Sequence, residues 1–183
     1  MLVHAILPLV FASAPTYQPP PRAVVNEYTT SDGHRTRWTS VTYTLPNGET
    51  AEVVIVADDT NRGDGYLYVD GEAIAHTSWD AATGVSNWAS SDPAASELAQ
   101  AALVALGGEA GAELLDAFAG DSQTFKCSAW GKKVLRAGKY IWAGVVASTT
   151  VACCAAFPAC GLCAGAGAAA AGIGTDALED YCD

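Results

Sequence analysis

Through its first 126 residues this 183-residue chain has no cysteine. All six cysteines (Cys127, Cys153, Cys154, Cys160, Cys163 and Cys182) fall in the last third. Charge is absent from one long stretch, since Tyr140 to Thr175 contains no Asp, Glu, Lys or Arg. Basic residues are scarce overall, nine against twenty acidic ones, for a net charge of −11. The deficit sits in residues 1–120, with four basic and fifteen acidic side chains, while residues 121–183 carry five of each. Such an acidic first part argues against a nucleic-acid partner, because phosphate backbones need clustered Lys and Arg. Its plainer meaning is solubility; a surplus of hydrated carboxylates also suits a high-salt habitat.

Recognisable catalytic machinery is missing too. There is no glycine-rich phosphate loop, metalloprotease helix or nucleophile elbow. The three histidines, His4, His34 and His76, are scattered and lie outside the cysteine-bearing part. CC…CxxC has the wrong spacing for a zinc cluster, and its CxxC lacks the strand–helix context of a redox site. Asp59 to Asp70 departs from the calcium-loop offsets and reads as a polar loop. No catalytic, cofactor-binding or metal-ligating residue is nominated, and the chain reads as non-enzymatic.

What is present begins with Met1–Ala14, a short apolar run ending in Ala12-Ser13-Ala14, the pattern of an export signal. Tyr17 to Val25, with Pro19, Pro20 and Pro21, reads as an extended spacer. Arg35 to Leu45 alternates, placing Val41, Tyr43 and Leu45 inward. Pro46-Asn47-Gly48 makes a turn, Glu52 to Ala57 returns, and Asp58 to Gly65 reads as a loop. Tyr66–Val69, Asp70-Gly71 and Glu72–His76 form a second hairpin, giving about four strands in an antiparallel sheet. Trp79 to Ser91 reads as a polar connection. A helix starts at Asp92-Pro93, with Leu98, Ala102, Ala105 and Leu106 on one side, and ends at Gly107-Gly108. A second helix, Glu109 to Ala119, gathers Leu114, Leu115 and Phe118. The expected fold is α+β: a small antiparallel sheet with two helices, followed by a disulfide-stapled all-α helical hairpin.

The tail explains itself differently. An Ala/Gly-rich segment buries little area per residue, and a core of this size rarely supplies more than about 3–5 kcal/mol. Clustered cysteines then read as a disulfide framework formed outside a reducing cytosol. Adjacent Cys153 and Cys154 point to different sides and so reach different partners; Cys127 and Cys182 bracket the module. Gly161 and Gly165 have the spacing of a close helix contact. Lys132, Arg136 and Tyr140 share a helical face near Lys139. With Trp130, Lys133 and Trp142 they make an aromatic-and-basic set suited to a membrane interface. Tyr140–Thr175, split by Pro158, is either a buried hairpin closed by disulfides or one that enters a bilayer. Gly120, Asp121 and Ser122 mark a turn-prone boundary and candidate cleavage site.

The segment KCSAWGKKVLRAGKYIWAGVVASTTVACCAAFPACGLCAGAG resembles the cysteine-rich microhalocin precursors of haloarchaea, the halocin C-eight type. That resemblance implies an exported preprotein with an acidic N-terminal part conferring immunity and a C-terminal peptide released as an antibiotic. The expected division is a signal at 1–14, an acidic escort or immunity domain at 15–120 and a hydrophobic peptide domain at 121–183. The partners implied are a target-cell membrane or membrane protein and the N-terminal part itself, with no nucleic acid. The other reading is a non-enzymatic surface or membrane-anchored interaction protein with a cysteine-rich tail.

Overall fold

In the computed structural model, residues 20–155 and 160–178 are described. The export-signal segment 1–14, the break at Pro158 and Cys182 lie outside the described residues. Six strands follow one another in a meander: β1 (Arg22–Thr29), β2 (Arg35–Thr44), β3 (Thr50–Asp58), β4 (Arg62–Val69), β5 (Glu72–Asp80) and β6 (Gly84–Ala89). All neighbours pair antiparallel. Among the described residues five helices come after them: α1 (Pro93–Leu106), α2 (Glu109–Ala119), α3 (Gln123–Lys126), α4 (Ala129–Cys153) and α5 (Cys160–Ala177).

The α+β architecture and its stapled C-terminal hairpin are present, but the sheet is wider than the expected four strands. Three strand boundaries account for the difference. Residues Arg22–Val25, expected in a spacer, open β1, which pairs along β2 with Ala23 opposite Val41 and Val25 opposite Thr39. Asp58–Gly65 contains the first half of β4, so only residues 59–61 lie between strands. Trp79–Ser91 contains the end of β5 and all of β6, joined by a turn with Gly84 at φ +89°. Local polarity and glycine content suggested loops in these places, and cross-strand pairing overrode them.

The hairpins with clear turn chemistry lie as expected. Asp70 and Gly71 both adopt positive φ, 46° and 81°, the geometry that joins two strands without splaying them. Val41 and Leu45 are buried, whereas Thr42 and Thr44 are exposed. Asp92 accepts a hydrogen bond from Ala94 N at 2.9 Å, and Pro93 takes the first turn of α1. Leu98 and Ala105 are only half-buried; the packed face of α1 is Ala99, Ala102, Leu103 and Leu106. On α2, Leu114, Leu115 and Phe118 are all fully buried.

One face of the sheet is covered by α2, lying on β1 and β2, and by α4, lying across β3 to β6. Helices α1 and α5 pack on α4 and on each other. A continuous core results, running from Val53, Ile55 and Leu67 through Leu114, Phe118, Ile141, Trp142 and Val145 to Cys163 and Ala170. The expected boundary near residue 120 therefore does not divide two cores.

Close approach of α4 depends on missing side chains. Below it runs the cross-sheet row Ile55, Gly65, Thr77. A Cβ on Gly65 would collide with Ile141 and Val145, and one on Gly144 of α4 would strike Thr77. Gly161 and Gly165, the expected helix-contact pair, have nothing within 4 Å of an added Cβ. The close contacts of α5 are instead Gly167 against Thr150 and Gly174 against Trp142. Replacing Gly65 by Ala is accordingly expected to cost about 1–3 kcal/mol by overpacking. Gly165→Ala should be neutral or stabilising by up to about 1 kcal/mol through helix propensity. Urea unfolding of both variants checks the pair; equal effects would contradict this packing.

Tyr43 gives a second check. Its hydroxyl is buried without a hydrogen-bond partner among the described residues, and burial pushes its pKa above the usual 10. A raised folded-state pKa leaves this contribution intact below the unfolded value and removes it as pH climbs from there toward the folded one. Stability should therefore fall above pH about 10 in the native protein, and Tyr43→Phe should flatten that slope in pH-dependent melts.

Candidate functional site

The C-terminal hairpin is built by two crosslinks at one end. Cys153, closing α4, bonds Cys163, and its neighbour Cys154 bonds Cys160, with Cα separations of 5.9 and 4.4 Å. The adjacent cysteines thus take different partners, and Cys160 and Cys163 each reach back to α4. Cys127 is also disulfide-bonded. Because no cysteine precedes residue 127, no disulfide can join the hairpin to residues 1–120. The oxidised pairs are compatible with an extracellular location.

What fastens the hairpin to the sheet, α1 and α2 is noncovalent. Trp142 is 1 % exposed, slotted against Gly111 of α2 and Gly174 of α5, and its indole N–H donates to Ala170 O at 3.0 Å. The lower half of α4 has no charge, and its buried hydroxyls are satisfied within the helix. Ser148 donates to Gly144 O at 2.8 Å, and Thr149 to Val145 O at 2.7 Å. Ser96 of α1 donates to Cys153 O, one of the carbonyls left over at the end of α4. Tyr140 stacks on Trp79 with ring centres 3.8 Å apart, and Arg35 lies 3.6 Å over the Trp130 ring.

The aromatic members of the membrane-interface set are therefore engaged inside the molecule. Trp142 is core, Trp130 is half-buried between Arg35 and Phe125, and Tyr140 keeps only part of its ring exposed. Trp142 follows Leu135 by seven residues, two helical turns, which places it in the buried stripe; that phase was the available signal. Lys132, Lys133, Arg136 and Lys139 are all exposed on one side of α4. They line a cavity of about 730 Å³ whose floor is Leu135 and Leu178. Its far wall comes from Thr60, Asn61 and Ala81, in the loops that end β3 and β5. Sequence spacing could not reveal that wall, because the topology alone brings those loops to α4.

No ion pair among the described residues includes these four cations; all six pairs lie within residues 27–80. The most buried is Arg37, held between Glu27 and Ala117 O, with desolvation lowering its pKa. It packs beside Gly120, where φ is +67°. Asp121 and Ser122 follow and are exposed, while Gly120 itself is half-buried.

The opposite face of the sheet carries a second surface that the sequence reading did not find. Trp88, His76, Tyr66 and Val54 form a row across four strands. His76 stacks on Tyr66 at 4.4 Å and hydrogen-bonds Asp64 at 3.0 Å, and Trp88 is 51 % exposed. Period-two alternation in β4, β5 and β6 would have shown it, had those strands been assigned in full. Among the described residues no single helix is long and apolar enough to cross a membrane.

The class defined by these features is an α+β protein with a disulfide-stapled helical hairpin packed on a six-stranded meander. Compared with known proteins, the chain matches no family model, no curated protein and no solved structure.

Removing the half-buried Cys154–Cys160 bridge by paired Ser substitution should cost roughly 2 kcal/mol, the loop-closure value for so short a ring. Chemical unfolding under non-reducing conditions measures it; no loss would show that packing alone holds the α4–α5 end.

Proposed function

We propose that the chain is the precursor of a secreted, disulfide-rich antimicrobial peptide acting on competitor membranes. Residues 15–120 serve as its immunity or escort module, and no step of the function is enzymatic. One observation carries this reading. The hairpin's disulfides all lie after residue 126, its apolar face is buried on the sheet, and a segment at Gly120–Ser122, exposed at Asp121 and Ser122, is the covalent path between the two parts. A cut there would leave the peptide folded by its own crosslinks and covered by the escort. Covering the face that holds Ile141 and Val145 is a physical means of keeping a membrane-active helix harmless to its producer. Among the described residues packing, with no ion pair, joins the two parts, and a grip of that kind survives the salt that would screen exposed charges.

The open aromatic face of the sheet favours a second reading, a non-enzymatic surface or membrane-anchored interaction protein. A discrete fragment beginning near Cys127 in culture medium supports the first; an intact, cell-associated chain supports the second.

For a direct trial, a specific protease site is placed at Gly120–Ser122 and the purified chain is cut. The two pieces should co-elute under native conditions and separate in denaturant. The freed tail should permeabilise vesicles and inhibit sensitive cells, and added residues 15–120 should suppress both effects. A tail that does neither, and that the N-terminal piece does not bind, ends the proposal.

A further inference from the structure

We propose that the cavity between α4 and the loops closing β3 and β5 seats a phosphate group. Lys132, Lys133, Arg136 and Lys139 converge on it from a single helix face. The chain is strongly acidic, but among the described residues Asp58 and Asp80, beside the far wall, are turned into their own loops. Asp58 Oδ1 accepts from Thr60 N at 2.8 Å, Thr60 Oγ1 at 2.6 Å and Arg62 N at 3.1 Å. Asp80 Oδ2 pairs with Arg62 at 2.6 Å, and its Oδ1 accepts from Ala82 N at 2.6 Å. A tetrahedral anion with several acceptor oxygens suits this set, since Arg offers a planar fork and each Lys a point charge.

Leu135 and Leu178, about 5 % and 4 % exposed, close the floor as part of the core, so the cations are what the cavity offers a ligand. If the membrane action proposed above holds, that ligand is an anionic phospholipid headgroup; a soluble phosphate shares the same chemistry. One consequence follows from the far wall. Thr60, Asn61 and Ala81 belong to the N-terminal part, so the whole site exists only while that part and the hairpin stay together. The uncut chain is then itself a phosphate binder, and cleavage followed by separation dismantles the site.

The experiment uses the full-length, oxidised chain. Binding is measured to phosphatidylcholine vesicles with and without phosphatidylglycerol, and to pyrophosphate by calorimetry. Lys132→Gln with Arg136→Gln should weaken binding about 30-fold, near fivefold for each charge removed. Arg22→Gln with Lys126→Gln removes equal charge elsewhere and should change affinity by no more than about twofold at moderate salt. Circular dichroism confirms that both variants fold. Phosphatidylglycerol-dependent binding lost in the first variant supports the lipid source; pyrophosphate binding alone supports the site with a soluble ligand. No binding of either probe, or a folded first variant that binds like the native chain, overturns the proposal. None of these readouts involves killing, so a tail without antimicrobial effect would leave this result standing, and the converse holds.

Discussion

The distance between α4 and the sheet governs the rest of the molecule. Dispersion and burial are short-ranged, so a helix gains most when its side chains touch the strands directly. Gly65 beneath Ile141 and Val145, with Gly144 above Thr77, removes the atoms that would keep the two apart. The same helix offers its other side to α1 and α5, where Trp142 fits between Gly111 and Gly174. Small residues that look like a weakness in the tail are thus the means by which large ones in the sheet, in α2 and in α4 come into contact.

This arrangement changes how the two halves relate. A charge surplus in one and a basic stretch in the other suggest electrostatic attraction, but the described ion pairs stay within residues 27–80. The halves instead share one apolar core. Disulfides then have a limited role. They tie the end of α4 to the start of α5 and contribute nothing across the boundary. The hairpin is crosslinked internally and only packed against residues 20–120.

Legibility in the sequence tracked how local each determinant is. The Asp92–Pro93 start, the Asp70-Gly71 turn and the Leu114–Leu115–Phe118 face depend on neighbours in the chain and were readable. β1 and β6 were not, because an edge strand is defined by the partner beside it. Gly63-Asp64-Gly65 reads as a break; in fact those glycines are strand residues whose bareness serves α4. The GxxxG spacing misled for the same reason: Gly161 and Gly165 satisfy a pattern, whereas Gly167 and Gly174 satisfy a neighbour. Of the candidate site, the basic face of α4 was visible from helical spacing. The wall at Thr60, Asn61 and Ala81 was not, since it arises from strand order.

Native-state hydrogen exchange on the intact, oxidised chain tests the shared core most directly. If α4 is integral to it, amides from Val134 to Thr149 should exchange as slowly as those of β3, both through global opening. Fast exchange along α4 while the sheet stays protected would show an independent appendage and contradict the account.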